Sequence, residues 1–501
     1  MGTRGRFPAR MWPAGEIPGG TTMTKLHYLG ATEALALFRS RELSPVELME
    51  AVIDRTSATN QDINALTETM FDDALAAART AEARYLGNQR VDPAPASAAD
   101  SALLGLPVAT KEKHAIAGRS LSQGLMAQSG VRAAAHHPVV ERILSAGGII
   151  HARTTSPEFS CATVTHSPMW GITRNPWNTD YSPGGSSGGA GAALASGLTP
   201  LATASDIAGS TRLPASFTGT VGFKAPYGRI PGLGPLASDW YRGDGPMART
   251  VADTALLANV MAGPHAVDHN TVGQTAPIPT TFAPVEGMRI ALCLRLGDYP
   301  VAPDVEANTR AVAAALSAAG AVVEEVELPW TSRGIGETIF THFGHLLGPA
   351  MEEATAGSED QLASYTRRFM ADARAAAGRN SLLDALTAEH RVQAQLAAAM
   401  EGFDVLLAPV SAVPALVADG DYLEGIDVGG VHLEHYWQAH MTAPFNIANR
   451  CPVLAVPSGL ADVGIPTGVQ IVGHPYQDHS VFRVGAAIEQ ARPWAGRFPP
   501  L

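Results

Sequence analysis

Apolar and polar residues follow two rhythms along this chain. In the N-terminal part, Ser44-Pro45-Val46-Glu47 has the form of a capping box, with Ser44 as N-cap, Pro45 at the first helical position and Glu47 reaching back to the cap. Leu48, Met49, Val52 and Ile53 then share one face of the predicted helix, and a second helix is predicted over Phe71–Tyr85, Ala-rich with Asp near its start. From Leu106 the rhythm shortens. LPVAT and GGIIHA read as strands and the intervening PVVERILSA as a helix, the alternation of an α/β layer structure. Between Asn175 and Pro231 the chain is dense in Gly, Ser and Pro, yet AGAALASG reads as a small-residue helix and LATASD as a strand, which a linker would not contain. Glu337 to Met400 is again helical and Ala-rich, after which DVLLAPV and PVLAVPSG return as buried strands. With no fixed-period repeat and no long linker, the pattern predicts one domain over residues 23–501, carrying an inserted helical section at about 337–400.

Residues 1–22 are rich in Gly, Pro and Arg, lack the apolar run of a secretory signal, and are expected to be disordered. No stretch of about 18 uninterrupted apolar residues predicts a transmembrane helix. Across 501 residues, 35 Lys+Arg against 47 Asp+Glu give a net charge of −12, which argues against a general nucleic-acid or anionic-membrane binder. Cys161, Cys293 and Cys451 are far apart, without metal-knuckle spacing, so neither a disulfide framework nor a zinc site is expected and a reducing cytoplasm fits.

The candidate chemistry lies in three segments. SPGGSSGGAG, Ser182 to Gly191, surrounds Ser186 and Ser187 with glycines that let a ligand approach main-chain N–H groups. Both serines satisfy G-x-S-x-G, but the approach NPWNTDYSP is loop and turn, so the strand that a nucleophile elbow needs is missing. Ser210 follows the apolar PLATA, and Ile207-Ala208-Gly209 before it is suited to turning N–H groups inward around an oxyanion. Asp206 and Arg212 flank this turn as a structural ion pair. Lys111 ends the apolar run GLPVAT; to serve as a base near neutrality it needs its pKa lowered by roughly 3 units, about 4 kcal/mol, which burial supplies. Alternation sends Glu112 to the opposite face and leaves Lys113 on the face of Lys111.

Taken together, PVATKEK, TTSPEF, GITRNPWN, SPGGSSGGAGAALASG, SDIAGSTRLPASFTGTVGFKAPYGRIP and GPMARTVADTALL, with TAPFNIANRCPVLAVPSG and GIPTGVQIVG near the C-terminus, resemble the amidase signature family from about residue 25 onward. The resemblance implies a single large α/β/α domain with a central twisted mixed sheet covered by helices on both faces. It also implies an amidohydrolase that cleaves a C–N bond, of a linear amide first, through a covalent acyl-enzyme. Lys111 then falls on the base, Ser186 on a bridging serine held by a cis peptide bond, and Ser210 on the nucleophile, with Ile207, Ala208 and Gly209 as oxyanion hole. No metal or organic cofactor is implied. Where the family commonly has Gly-Gly before the nucleophile, this chain has Ala208-Gly209, and a positive φ at Ala208 would strain the turn. His114 is assigned a structural role. Gly185, Ser187, Tyr436 and Trp437 are candidate substrate-binding residues, the last two in an aromatic loop from Asp419 to His440. The expected partners are a small amide or carbamate and a second copy of the chain, with no nucleic acid and no membrane. The alternatives are an ester or urethane hydrolase and the glutamine-hydrolysing component of a tRNA-dependent amidotransferase, its A subunit.

Overall fold

A computed structural model describes residues 16–19, 22–87, 101–273 and 276–501. The expected disorder of residues 1–22 falls mostly outside these; within that span Glu16–Gly19 pairs antiparallel with Thr22–Lys25. The central strands are β1 (Leu66–Thr69), β2 (Pro107–Lys111), β3 (Ile149–Thr154), β4 (Leu201–Asp206), β5 (Val221–Lys224), β6 (Gly243–Ala248), β7 (Arg289–Leu292), β8 (Val322–Glu325), β9 (Val405–Pro409), β10 (Val453–Leu460) and β11 (Pro466–Gly473). They form one 11-stranded sheet in the order β8-β7-β9-β11-β10-β5-β6-β4-β2-β3-β1. The sheet is mixed: β2 runs parallel to both β3 and β4, whereas β6 is antiparallel to β4 and β5.

Strand alternation explains why both faces are covered. On β9, Val405 and Leu407 enter one hydrophobic cluster while Leu406 and Ala408 enter another; on β10, Leu454 and Val456 separate from Val453 and Ala455 in the same way. Both side-chain rows are apolar, so each face needs its own layer. The helices that supply these layers include α1 (Pro45–Ile63), α2 (Phe71–Tyr85), α3 (Pro138–Ser145), α4 (Gly188–Ala195), α5 (Arg212–Thr218), α6 (Val251–Met261), α7 (Pro303–Ala318), α8 (Ser332–His345), α9 (Ser364–Arg379), α10 (Leu382–Ala399) and α11 (Asp478–Ala491). Residues of α1, α3, α6 and α11 join one cluster, those of α4, α5, α8, α9 and α10 join the other, and α7 contributes Val305 to the second and Val312, Ala313 and Leu316 to the first.

The local signals hold in detail. Ser44 Oγ accepts the Val46 N–H at 3.0 Å and Glu47 Oε2 accepts the Ser44 N–H at 3.0 Å, the predicted capping box, which is worth about 1 kcal/mol. The helical section contains α8, Leu347–Thr355, α9 and α10. The Asp419 to His440 segment is more ordered than a loop: Ile426–Val428 pairs with Val431–Leu433 and a 3₁₀ turn follows at Tyr436–Ala439. Among the described residues no helix is long and apolar enough to cross a membrane, and the three cysteines are buried free thiols.

Candidate active site

Three loops converge at the ends of neighbouring strands. Lys111 is the last residue of β2, Ser210 follows β4, and Ser186 precedes α4, whose small residues let it pack against the sheet. β2 and β4 are parallel neighbours, so their C-terminal ends face the same way, the usual location of a site in an α/β sheet. The Gly185–Ser186 peptide is cis. Added Cβ bulk at Gly185 would lie 2.7 Å from the Val164 carbonyl oxygen, so this glycine packs backbone on backbone.

Lys111 is fully buried, and its Nζ lies 2.7 Å from Ser186 Oγ, 2.9 Å from Ser187 Oγ and 3.0 Å from Ser205 Oγ. Burial foremost, then the Lys113 cation, holds Lys111 well below the ordinary lysine range. A neutral amine has two N–H donors and one lone pair, so three hydroxyls satisfy it when one of them donates. The Lys111 N–H donates to Thr203 Oγ1 at 3.0 Å, fixing the strand end. Glu112 turns away as alternation requires: its carboxylate accepts the Ser122 and Gln123 N–H groups at 2.8 and 3.0 Å.

The Ser210 turn is braced by a buried ion pair. Asp206 Oδ1 accepts the Gly209 N–H at 2.7 Å, and Asp206 Oδ2 accepts the Thr211 N–H at 3.2 Å. Arg212 grips both carboxylate oxygens at 3.0 Å and also donates to the Thr442 carbonyl and Gln470 Oε1 at 2.9 Å and to Asn446 Oδ1 at 2.6 Å. Burial alone would raise the Asp206 pKa, but Arg212 and the Asn446 amide outweigh it and bring it down to about 2. The two serine loops are joined directly, since the Ser187 N–H donates to the Ser210 carbonyl at 3.2 Å.

Two expectations for the oxyanion turn change. The residue with positive φ is Gly209, at +123°, and Ala208 is not among the non-glycine positions that adopt one. The Ala208 methyl therefore imposes no left-handed strain. The Gly209 N–H is already bound by Asp206, so Gly209 shapes the turn, while the N–H groups of Ile207, Ala208 and Ser210 have no acceptor among the described residues.

Ser186 and Ser210 line one narrow cavity together with Lys113, Phe159, Ile207, Arg242, Leu347, Phe369 and Trp437. Of the four candidate substrate-binding residues, Trp437 reaches this cavity. Ser187 instead holds Lys111, Gly185 packs on residues 162–164, and Tyr436 is a buried support whose hydroxyl accepts the Thr163 N–H at 3.3 Å. Leu347 and Phe369 come from the helical section. Phe159 and Ser160 are held at φ +52° and +60°, a left-handed backbone that costs on the order of 1–3 kcal/mol in non-glycine residues and concentrates at functional sites. A roomier, more apolar cavity of about 360 Å³ between α10 and Ile447–Cys451 shares none of these residues.

Beside Lys111 lies a polar cluster that sequence reasoning touched only at Lys113 and His114. Asp244 receives Lys113 Nζ at 3.1 Å, His114 Nε2 at 3.0 Å and His137 Nε2 at 3.4 Å. His114, His137 and Asp244 place possible metal-ligand atoms within 4.8 Å of one another. However, His137 Nδ1 accepts the Val139 N–H at 3.2 Å, which leaves its proton on Nε2 and aimed at the carboxylate. With that proton in place His137 has no lone pair to turn on a cation, and Asp244 is instead closed by the cation of Lys113. His114 Nδ1 contacts Thr203 Oγ1 at 2.7 Å, so this cluster supports the β2–β4 junction.

Known proteins match this chain over nearly its whole length. The family model described as Amidase matches residues 47–482. An acylamidase of Rhodococcus erythropolis is 33% identical over 501 residues, covering 95% of this chain and 98% of the relative. The A subunit of the glutamyl-tRNA(Gln) amidotransferase from Chloroflexus aggregans is 31% identical over 526 residues, covering 96% and 99%. Among solved structures, a bacterial aryl acylamidase of the amidase signature family superposes with a TM-score of 0.85 at 26% identity, covering 94% of this chain and 98% of that one. A 6-aminohexanoate cyclic dimer hydrolase in complex with its substrate gives 0.79 at 29% identity, covering 95% and 99%.

Proposed function

Since the chain belongs to the amidase signature family of C–N hydrolases, we propose that it hydrolyses a small amide or carbamate with Ser210 as nucleophile, Ser186 as proton bridge and Lys111 as base. The observation that carries this reading is the 2.7 Å contact between Ser186 Oγ and the Nζ of a fully buried Lys111. Burial favours the neutral amine, which has a lone pair to receive a proton. Ser186 gives its proton to Lys111 and takes one from Ser210 as the Ser210 oxygen attacks the carbonyl carbon. The tetrahedral oxyanion is received by the N–H groups of Ile207, Ala208 and Ser210, whose turn is preorganised by Asp206 and therefore needs little rearrangement. The relay returns its proton to the leaving nitrogen, the C–N bond breaks, and water then releases the acyl or carbamoyl group from Ser210. Phe159, Leu347, Phe369 and Trp437 give the cavity apolar walls for an aryl or alkyl group beside the scissile bond.

Ser210→Ala, purified and assayed on a panel of chromogenic anilides, carbamates and esters, is expected to keep its fold and lose turnover. Undiminished hydrolysis by this variant overturns the assignment. The similarity to the amidotransferase component supports a second reading, in which the same site releases ammonia from glutamine within a complex. Co-purification with partner proteins and Ser210-dependent glutaminase activity, in the absence of anilide hydrolysis, would establish it.

A further inference from the structure

A second chamber, of about 330 Å³, shares Lys113, Arg242 and Gly243 with the catalytic cavity and is walled by Leu121, Tyr227, Ile230 and Leu236 among others. The charges bordering the two spaces are unevenly matched. Asp206 is committed to Arg212 and two main-chain N–H groups. Asp244 is taken by Lys113, His114 and His137. Asp268 accepts the N–H groups of Gly232 and Asn270 at 2.8 and 3.0 Å. The guanidinium here belongs to Arg242, a half-buried residue that lines both spaces. It makes no hydrogen bond or ion pair with any acceptor among the described residues. A guanidinium is a planar, permanently charged fork suited to a carboxylate.

We propose that Arg242 is a specificity residue that anchors a carboxylate of the substrate at the mouth between the two chambers, so that the enzyme prefers amides bearing an acid group over neutral ones. This rests on the hydrolase reading above. Lys113, the other cation of the junction, is matched by Asp244, so the unpaired charge there is that of Arg242. The chamber is large enough for the part of a small molecule that carries the acid, while the scissile carbonyl sits at Ser210.

The test compares matched substrates whose neutral members also report on the basic activity. Glutaric acid mono-para-nitroanilide is set against pentanoyl para-nitroanilide, and N-acetyl-para-aminobenzoate against N-acetyl-para-aminobenzamide, which places the acid on the acyl or the amine side. In at least one pair the wild-type kcat/KM is expected to favour the acid by about tenfold or more, the size of a charge-assisted hydrogen bond. That ratio should fall toward one in Arg242→Gln, invert in Arg242→Glu and largely return in Arg242→Lys. If Arg242 acts only through the charge of Lys111, both members of each pair change together and the ratio survives, which overturns the proposal. A wild-type ratio of one or less in both pairs overturns it as well. Failure of the hydrolase reading is distinct, because then no member of either pair shows turnover that Ser210→Ala abolishes.

Discussion

Replacing Arg212 by Met removes the brace of the Ser210 turn while roughly preserving side-chain volume. Five hydrogen bonds disappear, and Asp206 is left as a buried carboxylate held by the N–H groups of Gly209 and Thr211 and the Asn446 amide. Breaking a buried pair from one side costs about 3–5 kcal/mol, a large part of the roughly 5–15 kcal/mol that holds a domain together. An independent bound comes from Asp206: its descent from 3.8 to about 2 corresponds to about 2 kcal/mol in favour of the ionised form. Most of that net gain comes from Arg212, because burial works in the opposite direction. Arg212→Met and Asp206→Asn should each destabilise strongly, while the double variant should be less destabilised than their sum by about 2 kcal/mol. Urea unfolding followed by tryptophan fluorescence, with kcat/KM for an anilide measured in parallel, gives all four corners of the cycle. The sign with pH is also fixed. A depressed carboxylate pKa contributes stability that is fully present above pH 3.8 and is lost as the pH falls toward 2, so the wild-type advantage over Arg212→Met should shrink on acidification. Additive single variants, or an advantage that grows in acid, would refute the brace.

Further outcomes follow from the same geometry. Because burial and Lys113 hold Lys111 below its ordinary value, kcat/KM should rise with pH through one ionisation below 10.5, and Lys113→Met should move that rise to higher pH; a flat profile removes lysine as base. Gly209→Ala would place a methyl 2.1 Å from Thr442 Oγ1 at φ +123°, so its loss of turnover should exceed that of Ala208→Gly by tenfold or more, on the order of 1–3 kcal/mol of strain. The reverse order would return the left-handed position to Ala208. His342 is opposed by burial, but its hydrogen bonds to Asp239 and Glu389 raise its pKa above 6.5. The stability it adds is therefore complete below pH 6.5 and fades as pH rises through the raised value. Thermal unfolding of His342→Gln should show its largest deficit in mild acid, and a deficit confined to alkaline pH contradicts this.

What could be read in the sequence was local. The Ser44 cap, the helix over Phe71–Tyr85 and the LATASD strand are written within a few residues, and the glycines around Ser186 mark a backbone that must come close to its neighbours. The residues whose role shifted depend on partners far along the chain. Ser187 is turned inward by Lys111, 76 positions away. Gly209 loses its free N–H to Asp206, which is only three residues earlier but is aimed there by Arg212 and Asn446. Tyr436 and Trp437 are adjacent, yet a 3₁₀ turn sends one beneath the Thr163 backbone and the other into the cavity. No periodicity distinguishes such neighbours, because packing against other elements decides their direction. Arg242 was equally silent as one charge in a polar stretch, and it stands out once every acid near it is seen to be occupied.

The brace around Arg212 also ties together residues made at very different times. Thr442, Asn446 and Gln470 lie 230, 234 and 258 positions beyond Arg212. At roughly 5–20 residues per second, a growing polypeptide adds Arg212 about 10–50 s before these three partners have been made. A truncated product ending before Thr442 carries Lys111, Ser186 and Ser210 and lacks three acceptors of the Arg212 brace. The turn around Ser210 thus gains its full set of long-range partners only after Gln470 has been made.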